Sequence, residues 1–259
     1  MVQLWKMTGL CLAGLFLFGS LSYGETVKII AEDDWYPYSA KIDNGAKGIG
    51  VDIVKAAFQA EGVTAEFEPM NYDRGMAAVK EGTAIGCFDA PRTREIEEAY
   101  LWHDEPMFLA PSLFYAPADY TGSVKSVDDL AGKKLGLTQG YGYGNAVDLN
   151  SQIEKEYSKS DEVILRKLAA KRVDFVIVFE KVADYLIAKM GLQGQVKAVG
   201  TSEAAQIYVA FSKGNPDGQK CRDIFSNGFR KIKADGTYQQ IMDQWDARLK
   251  SPALEPAVK

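Results

Sequence analysis

Short apolar runs alternate with amphipathic, capped stretches along most of this chain. That order restricts it to an α/β fold built on largely parallel strands. The runs at 27–31, 65–70, 84–88, 108–115, 133–138, 173–179 and 207–211 are too short for helices and are bounded by turn residues, so they read as strands. Between them the spacing predicts helices over 52–61, 73–80, 160–170, 181–190 and 215–234, several stopped by a glycine such as Gly62, Gly82 or Gly191. The last helix is the clearest. Tyr238, Ile241, Met242, Trp245 and Leu249 fall on one apolar face.

Within this alternation, the stretch from Thr83 to Glu95 breaks abruptly from an apolar run into charge. In open α/β sheets ligands bind beyond the carboxyl ends of strands, so Asp89, Arg92 and Arg94 are candidates for the floor of a cleft. An arginine there suits a carboxylate, because its planar fork donates two parallel hydrogen bonds. The same arginines, set among Glu95, Glu97 and Glu98, would also suit a solvated helix start. Two further strand ends carry candidate contacts. Trp35, Tyr36 and Tyr38 surround Pro37 just after the first strand, as a stiff apolar wall. Gln139 to Asn145 forms a glycine-rich turn containing Gly140, Tyr141 and Gly142, followed by helix-compatible sequence that would aim N–H groups at an anion. Its spacing matches neither the Walker nor the dinucleotide pattern. Arg74 lies in the first turn of a predicted helix, where a cation opposes the helix dipole and needs a neighbour such as Asp73 or a bound carboxylate.

Other classes are argued against by composition. The formal charge is −5 with no basic run, which disfavours nucleic acid as a partner. Residues 1–24 read as a cleavable secretory signal: Lys6 precedes an apolar run from Met7 to Leu21, and Ser22-Tyr23-Gly24 supplies small residues for cleavage. After cleavage Cys87 and Cys221 remain, and they would either pair or stay as buried thiols. A lone His103 without a cysteine or histidine cluster disfavours a zinc site, and no cofactor is expected.

Taken with their order, four segments are familiar: Trp35-Tyr36-Pro37-Tyr38, Gly48 to Ile53, Asp128 to Gly136, and Ala234 to Trp245. Through them the chain resembles family 3 of the bacterial periplasmic solute-binding proteins, which deliver polar amino acids and related compounds to ABC importers. The resemblance implies a two-lobed, type II binding-protein fold with the ligand between the lobes. Lobe one would be 25–115 plus 207–259, lobe two 116–206, with hinge crossovers near Tyr115 and Gln206. It also implies a periplasmic, monomeric protein that closes on a small molecule, hands it to an inner-membrane permease and performs no chemistry. The family's Ser-x-Thr-x-x-Arg element falls on Asp89 to Arg94, which makes Arg94 the first choice for gripping a ligand carboxylate and Arg92 the second.

Departures from the family pattern bear on the ligand. Asp89 and Pro91 stand where the motif has hydroxyl residues, so a donor has become an acceptor, and Arg74 stands where glycine is common. Phe179 stands where the family's aspartate receives an α-ammonium, with Glu180 beside it. Either Asp89 or Glu180 replaces that aspartate, or the ligand lacks an α-amino group. The expected ligand is a small carboxylate-bearing molecule, packed by Trp35, Tyr36 and Tyr72 and covered by Gly140 to Tyr143. A cyclohexadienyl dehydratase-like enzyme, with Glu180 or Asp89 as general acid, and an exported sensory protein are the alternatives.

Overall fold

The computed structural model describes residues 25–250, so the expected signal at 1–24 and the tail at 251–259 lie outside the described residues. The chain runs β1 (Thr26–Glu32), β2 (Asp34–Trp35), β3 (Ser39–Ile42), β4 (Gly45–Lys47), α1 (Ile49–Ala60), β5 (Thr64–Met70), α2 (Tyr72–Lys80), β6 (Gly86–Pro91) and β7 (Leu101–Trp102). It continues through β8 (Phe108–Pro117), β9 (Lys134–Thr138), α3 (Asn145–Asp148), β10 (Glu154–Ser158), α4 (Asp161–Ala169), β11 (Phe175–Phe179) and α5 (Glu180–Met190). The closing elements are β12 (Val196–Phe211), α6 (Gly218–Ala234) and α7 (Thr237–Lys250). The expected alternation is therefore present, and the last helix lies where its apolar face predicts.

One curled sheet runs β10-β9-β11-β8-β12-β6-β1-β5, with β7 added against β12. At either end the neighbours are parallel: β1 lies between β5 and β6, and β9 between β10 and β11. The middle is antiparallel, because β8 and β12 run against each other and against their outer neighbours. These two long strands carry the chain from one parallel group to the other and back. On the first side, α1 packs against α6 at Gly228, where an added Cβ would lie 1.8 Å from the Ala57 carbonyl oxygen. Only glycine permits that approach. Phe58, Phe225 and Phe229 fill the layer beneath it, all almost wholly buried. On the second side, β11 is buried throughout: Val176 and Val178 share a core with α4 and α5, whereas Phe175 and Ile177 join Leu135 and Leu137 in a core of their own.

Several expectations shift. The strand read at 84–88 lies at Gly86–Pro91, so Asp89 sits inside it rather than beyond its end. The strand read from Ile207 begins at Val196. After the glycine-rich turn comes only a four-residue helix, too short to supply the anion site that the turn suggested. Cys87 and Cys221 are buried free thiols. His103 is buried in the first side, accepting a 3.0 Å hydrogen bond from the Val209 backbone N–H at Nε2. Burial lowers its pKa to about 3.

Candidate functional site

Two carboxyl groups and four aromatic rings meet where the parallel strand groups face each other. They line a small cavity of about 20 Å³ bounded by Glu32, Asp89, Trp35, Tyr72, Tyr141 and Phe179, with Pro91, Gly142 and Ile207 completing the wall. Each polar group is placed by a local backbone feature. Glu32 is the last residue of β1. Asp89 is a bulge: Phe88 pairs with Val209 and Ala90 with Tyr208, which leaves Asp89 without an opposite residue in β12. Its φ of 65° is left-handed, a conformation aspartate tolerates better than most side chains. The extra residue turns the carboxylate toward α1, where Gly50 makes room for it. A Cβ at Gly50 would lie 2.5 Å from Asp89 Oδ1.

The electrostatics are unbalanced. Asp89 is 2% exposed, and neither of its oxygens has a hydrogen-bond partner. Burial alone pushes its pKa well above the usual carboxylate range. Glu32 is also raised, first by burial and then by the nearby Asp89 and Asp161. The Tyr141 hydroxyl partly offsets this by donating a 2.5 Å hydrogen bond to Glu32 Oε1. Unpaired buried charge is costly, so the cavity favours either protons on these groups or a cation between them.

Aromatic contacts shut the cavity from both sides. Trp35 stacks on Tyr38 at 4.3 Å and meets the edge of Phe179 at 4.9 Å. Tyr72 and Tyr141 meet edge to face at 6.1 Å. Outside the cavity, Tyr36 packs on Tyr185 at 4.4 Å, and Lys181 bridges to Asp246 at 2.8 Å. Gly140 lies so close to Asp73 that an added Cβ would fall 2.3 Å from a carboxylate oxygen. The two sides of the cleft are thus in contact around the cavity.

Of the residues expected at the site, Asp89, Trp35, Tyr72, Tyr141, Gly142 and Phe179 line this cavity. Tyr36 is buried beside it. Arg94 is exposed in an adjoining open groove that shares Gly142 and Phe179 with the cavity. Arg92 lines the same groove, where it is bonded to Glu97 at 2.6 Å and lies over Trp102 and Tyr208. Arg74 and Glu180 are exposed, and Gly140 borders the outer groove beside Tyr72. Glu32 and Gly50 were not read as site residues from the sequence. Glu32 was visible as the first acid after a buried strand, whereas Gly50 shows its role only through contact. Among the described residues no group of histidine, cysteine, aspartate or glutamate is placed to hold a metal ion, and no helix is long and apolar enough to cross a membrane.

A sheet carried from one α/β group to another by two long strands, with an aromatic-walled cavity holding two carboxyl groups between them, defines a two-lobed solute-binding protein. The chain belongs to family 3 of the bacterial extracellular solute-binding proteins, whose model matches residues 27–247. It is 25% identical over 225 residues to the L-cystine-binding protein TcyJ of Escherichia coli, covering 85% of this chain and 82% of that one. An ancestral arginine-binding protein bound to glutamine is 27% identical with a TM-score of 0.72, covering 85% of this chain and 97% of its own. An ancestral arginine-binding protein solved with arginine gives 25% identity and a TM-score of 0.73 over the same shares. These relatives are binding proteins rather than enzymes.

Proposed function

We propose that this protein captures a small organic cation, an amine or an amino acid with a positively charged side chain, by closing its cleft over it. The observation that carries the reading is Asp89, a buried carboxylate with two unpartnered oxygens facing an aromatic-walled cavity. A bound ammonium or guanidinium would neutralise Asp89 and Glu32, while Trp35, Tyr72, Tyr141 and Phe179 would supply the faces and edges that favour a cation on an apolar stem. A carboxylate on the same ligand would project toward Arg94 in the adjoining groove, which keeps a place for the arginine expected from the sequence. The ancestral protein solved with arginine fits a ligand of this charge.

In this reading, lobes 25–115 with 207–259 and 116–206 hinge near Tyr115 and Gln206, along β8 and β12. The protein works as an exported periplasmic monomer that hands its ligand to an ABC permease. Calorimetric titration of protein freed of carried-over ligand by unfolding and refolding tests the ligand class, using L-arginine and n-pentylamine against L-glutamate and pentanoate. The cations bind, and Asp89→Asn abolishes their binding. Preferential binding of the acids, undisturbed by Asp89→Asn, would overturn the reading.

A further inference from the structure

Both flanks of β12 lose their regular pairing at the same place. On one flank Phe88 pairs with Val209 and Ala90 with Tyr208, the slip that leaves Asp89 unpaired. On the other, β7 pairs with Ala210 and Phe211, and β8 takes over at Ile207, so among the described residues no strand lies opposite Tyr208 and Val209. The chain between those two neighbours, 103–107, leaves the sheet. It returns at Met107, whose N–H donates to the Ile207 carbonyl at 2.7 Å. His103 fills the gap with its side chain, because Nε2 accepts the Val209 N–H at 3.0 Å where a strand carbonyl would otherwise stand. The ring is 1% exposed and is held by Tyr208 at 5.0 Å and by Phe225 at 4.7 Å.

Accepting at Nε2 requires the neutral imidazole with its proton on Nδ1. Burial, with smaller help from Arg92 and Arg222, holds the pKa at about 3 against an opposing hydrogen bond to the Glu105 backbone, so the acceptor persists at neutral pH. Packing alone does not call for an imidazole here. A phenyl ring would complete the same aromatic layer against α6.

We infer that His103 is a positioning residue for the site: by taking the Val209 N–H it holds β12 in the slipped register from which Asp89 points into the cavity. Gly50 of α1 lies against both the Asp89 carboxylate and the Phe88 ring, which puts two successive residues on one face. A regular ladder would send Asp89 to the face opposite Phe88. With its acceptor gone, the buried Val209 N–H costs free energy that the strand relieves by shifting or by admitting water, and either loosens the slip. This inference rests on the cation-binding reading of Asp89 and adds that the carboxylate is aimed from the opposite flank of β12.

The test is calorimetric titration of n-pentylamine at pH 7.5, with amide hydrogen exchange of the ligand-free protein, on the full mature chain and on His103→Phe, His103→Gln and Phe229→Leu. Phenylalanine keeps the ring and removes the acceptor, whereas glutamine carries an oxygen near the position of Nε2. Phe229→Leu disturbs the same aromatic layer, 6.0 Å from the imidazole, without touching Val209. His103→Phe weakens amine binding about tenfold, the scale of one buried hydrogen bond, and speeds exchange at Val209 and Ala90. His103→Gln recovers most of the affinity, and Phe229→Leu lowers the melting temperature while affinity stays within about twofold. Should His103→Phe fail to fold, His103→Asn replaces it, since that side chain is too short to reach the same N–H and must bind more weakly than His103→Gln. Unchanged affinity in the variant lacking the acceptor, or losses that merely follow melting temperature across all the variants, would overturn the positioning role. Loss of amine binding in Asp89→Asn would then leave the cation reading standing. If the unmodified protein binds no amine, both readings fail.

Discussion

Replacing Asp161 by asparagine should stabilise the protein in the absence of ligand, by an amount that depends on pH. Burial raises the Asp161 pKa from 3.8 to about 7, against the opposing pull of the Thr138 hydroxyl and with a small further push from Asp34. A carboxyl whose folded-state pKa lies above its unfolded value binds protons more tightly when folded. Its favourable contribution is complete below the unfolded pKa and is lost as pH rises to the folded one. Across about three pH units, at about 1.4 kcal/mol each, the loss amounts to about 4 kcal/mol above pH 7. Asparagine resembles the neutral form at every pH and can still accept from Thr138. It forfeits a charge in the first turn of α4, worth about 1 kcal/mol at most. The net gain is about 3 kcal/mol, which for a chain of this size raises the melting temperature by about 6 to 12 °C. Thermal unfolding of ligand-free protein and variant from pH 4 to pH 8 reads this directly. The difference should be near zero at pH 4, grow through pH 5 and 6, and level off above pH 7. A variant less stable than the parent by the same margin at every pH would refute the reasoning, because the Thr138 contact rather than buried charge would then dominate.

Other perturbations separate closure from cation contact. Tyr141→Phe removes the hydroxyl that reaches Glu32 across the cleft, and should weaken L-arginine binding about tenfold in calorimetry, with unchanged affinity arguing against closure through this contact. Gly50→Ala pushes against Asp89 Oδ1 and the buried Phe88 ring and should lower that affinity together with the melting temperature; equal affinity would show that Asp89 need not occupy its present position. Gly228→Ala should instead destabilise by about 3 kcal/mol through overpacking at the α1–α6 contact, visible as a lower denaturation midpoint with binding retained where the protein is folded. His103→Gln should cost stability at pH 7 but flatten the acid dependence. The folded imidazole resists protonation to about pH 3, so the parent's stability falls as pH drops below 6.5, and a parallel decline in both proteins would exclude His103 as its source.

The elements most legible in the sequence are those whose pattern and burial coincide. β11 is a β-branched and aromatic run buried at every position, and Tyr238, Trp245 and Leu249 occupy one face of α7 at helical spacing. β12 was legible only in its last five residues. Between Lys197 and Gln206 it is mostly exposed, and its pairing with β8 slips twice, which erases the alternation that marks a strand. The site was legible by location and misleading by charge. A break from apolar to charged sequence located β6 to within three residues but ended it before Asp89, and an arginine is no more visible in such a stretch than an aspartate. What separates Asp89, turned inward, from Arg94, left in the groove, is one unpaired residue in the ladder with β12. A bulge depends on its partner strand more than one hundred residues away, so local sequence carries no signal of it.

That unpaired residue links the stability of the cleft to its specificity. In the proposed reading, an open cleft would leave Asp89, Glu32 and Asp161 hydrated, and closing it would remove water from all three, which are between 2% and 6% exposed in this structure. Without a cation, closure therefore costs desolvation of like charges; with one, the same low dielectric strengthens each attraction. A neutral or acidic solute of equal size would fill the aromatic walls yet leave the carboxylates unpaired. Discrimination then comes chiefly from the penalty for closing on the wrong charge, and the walls contribute affinity that many small solutes would share. Hydrogen bonds from Tyr141 to Glu32 and from Thr138 to Asp161 lower that penalty at two of the three groups, which leaves Asp89 as the group whose burial depends on what the cleft encloses.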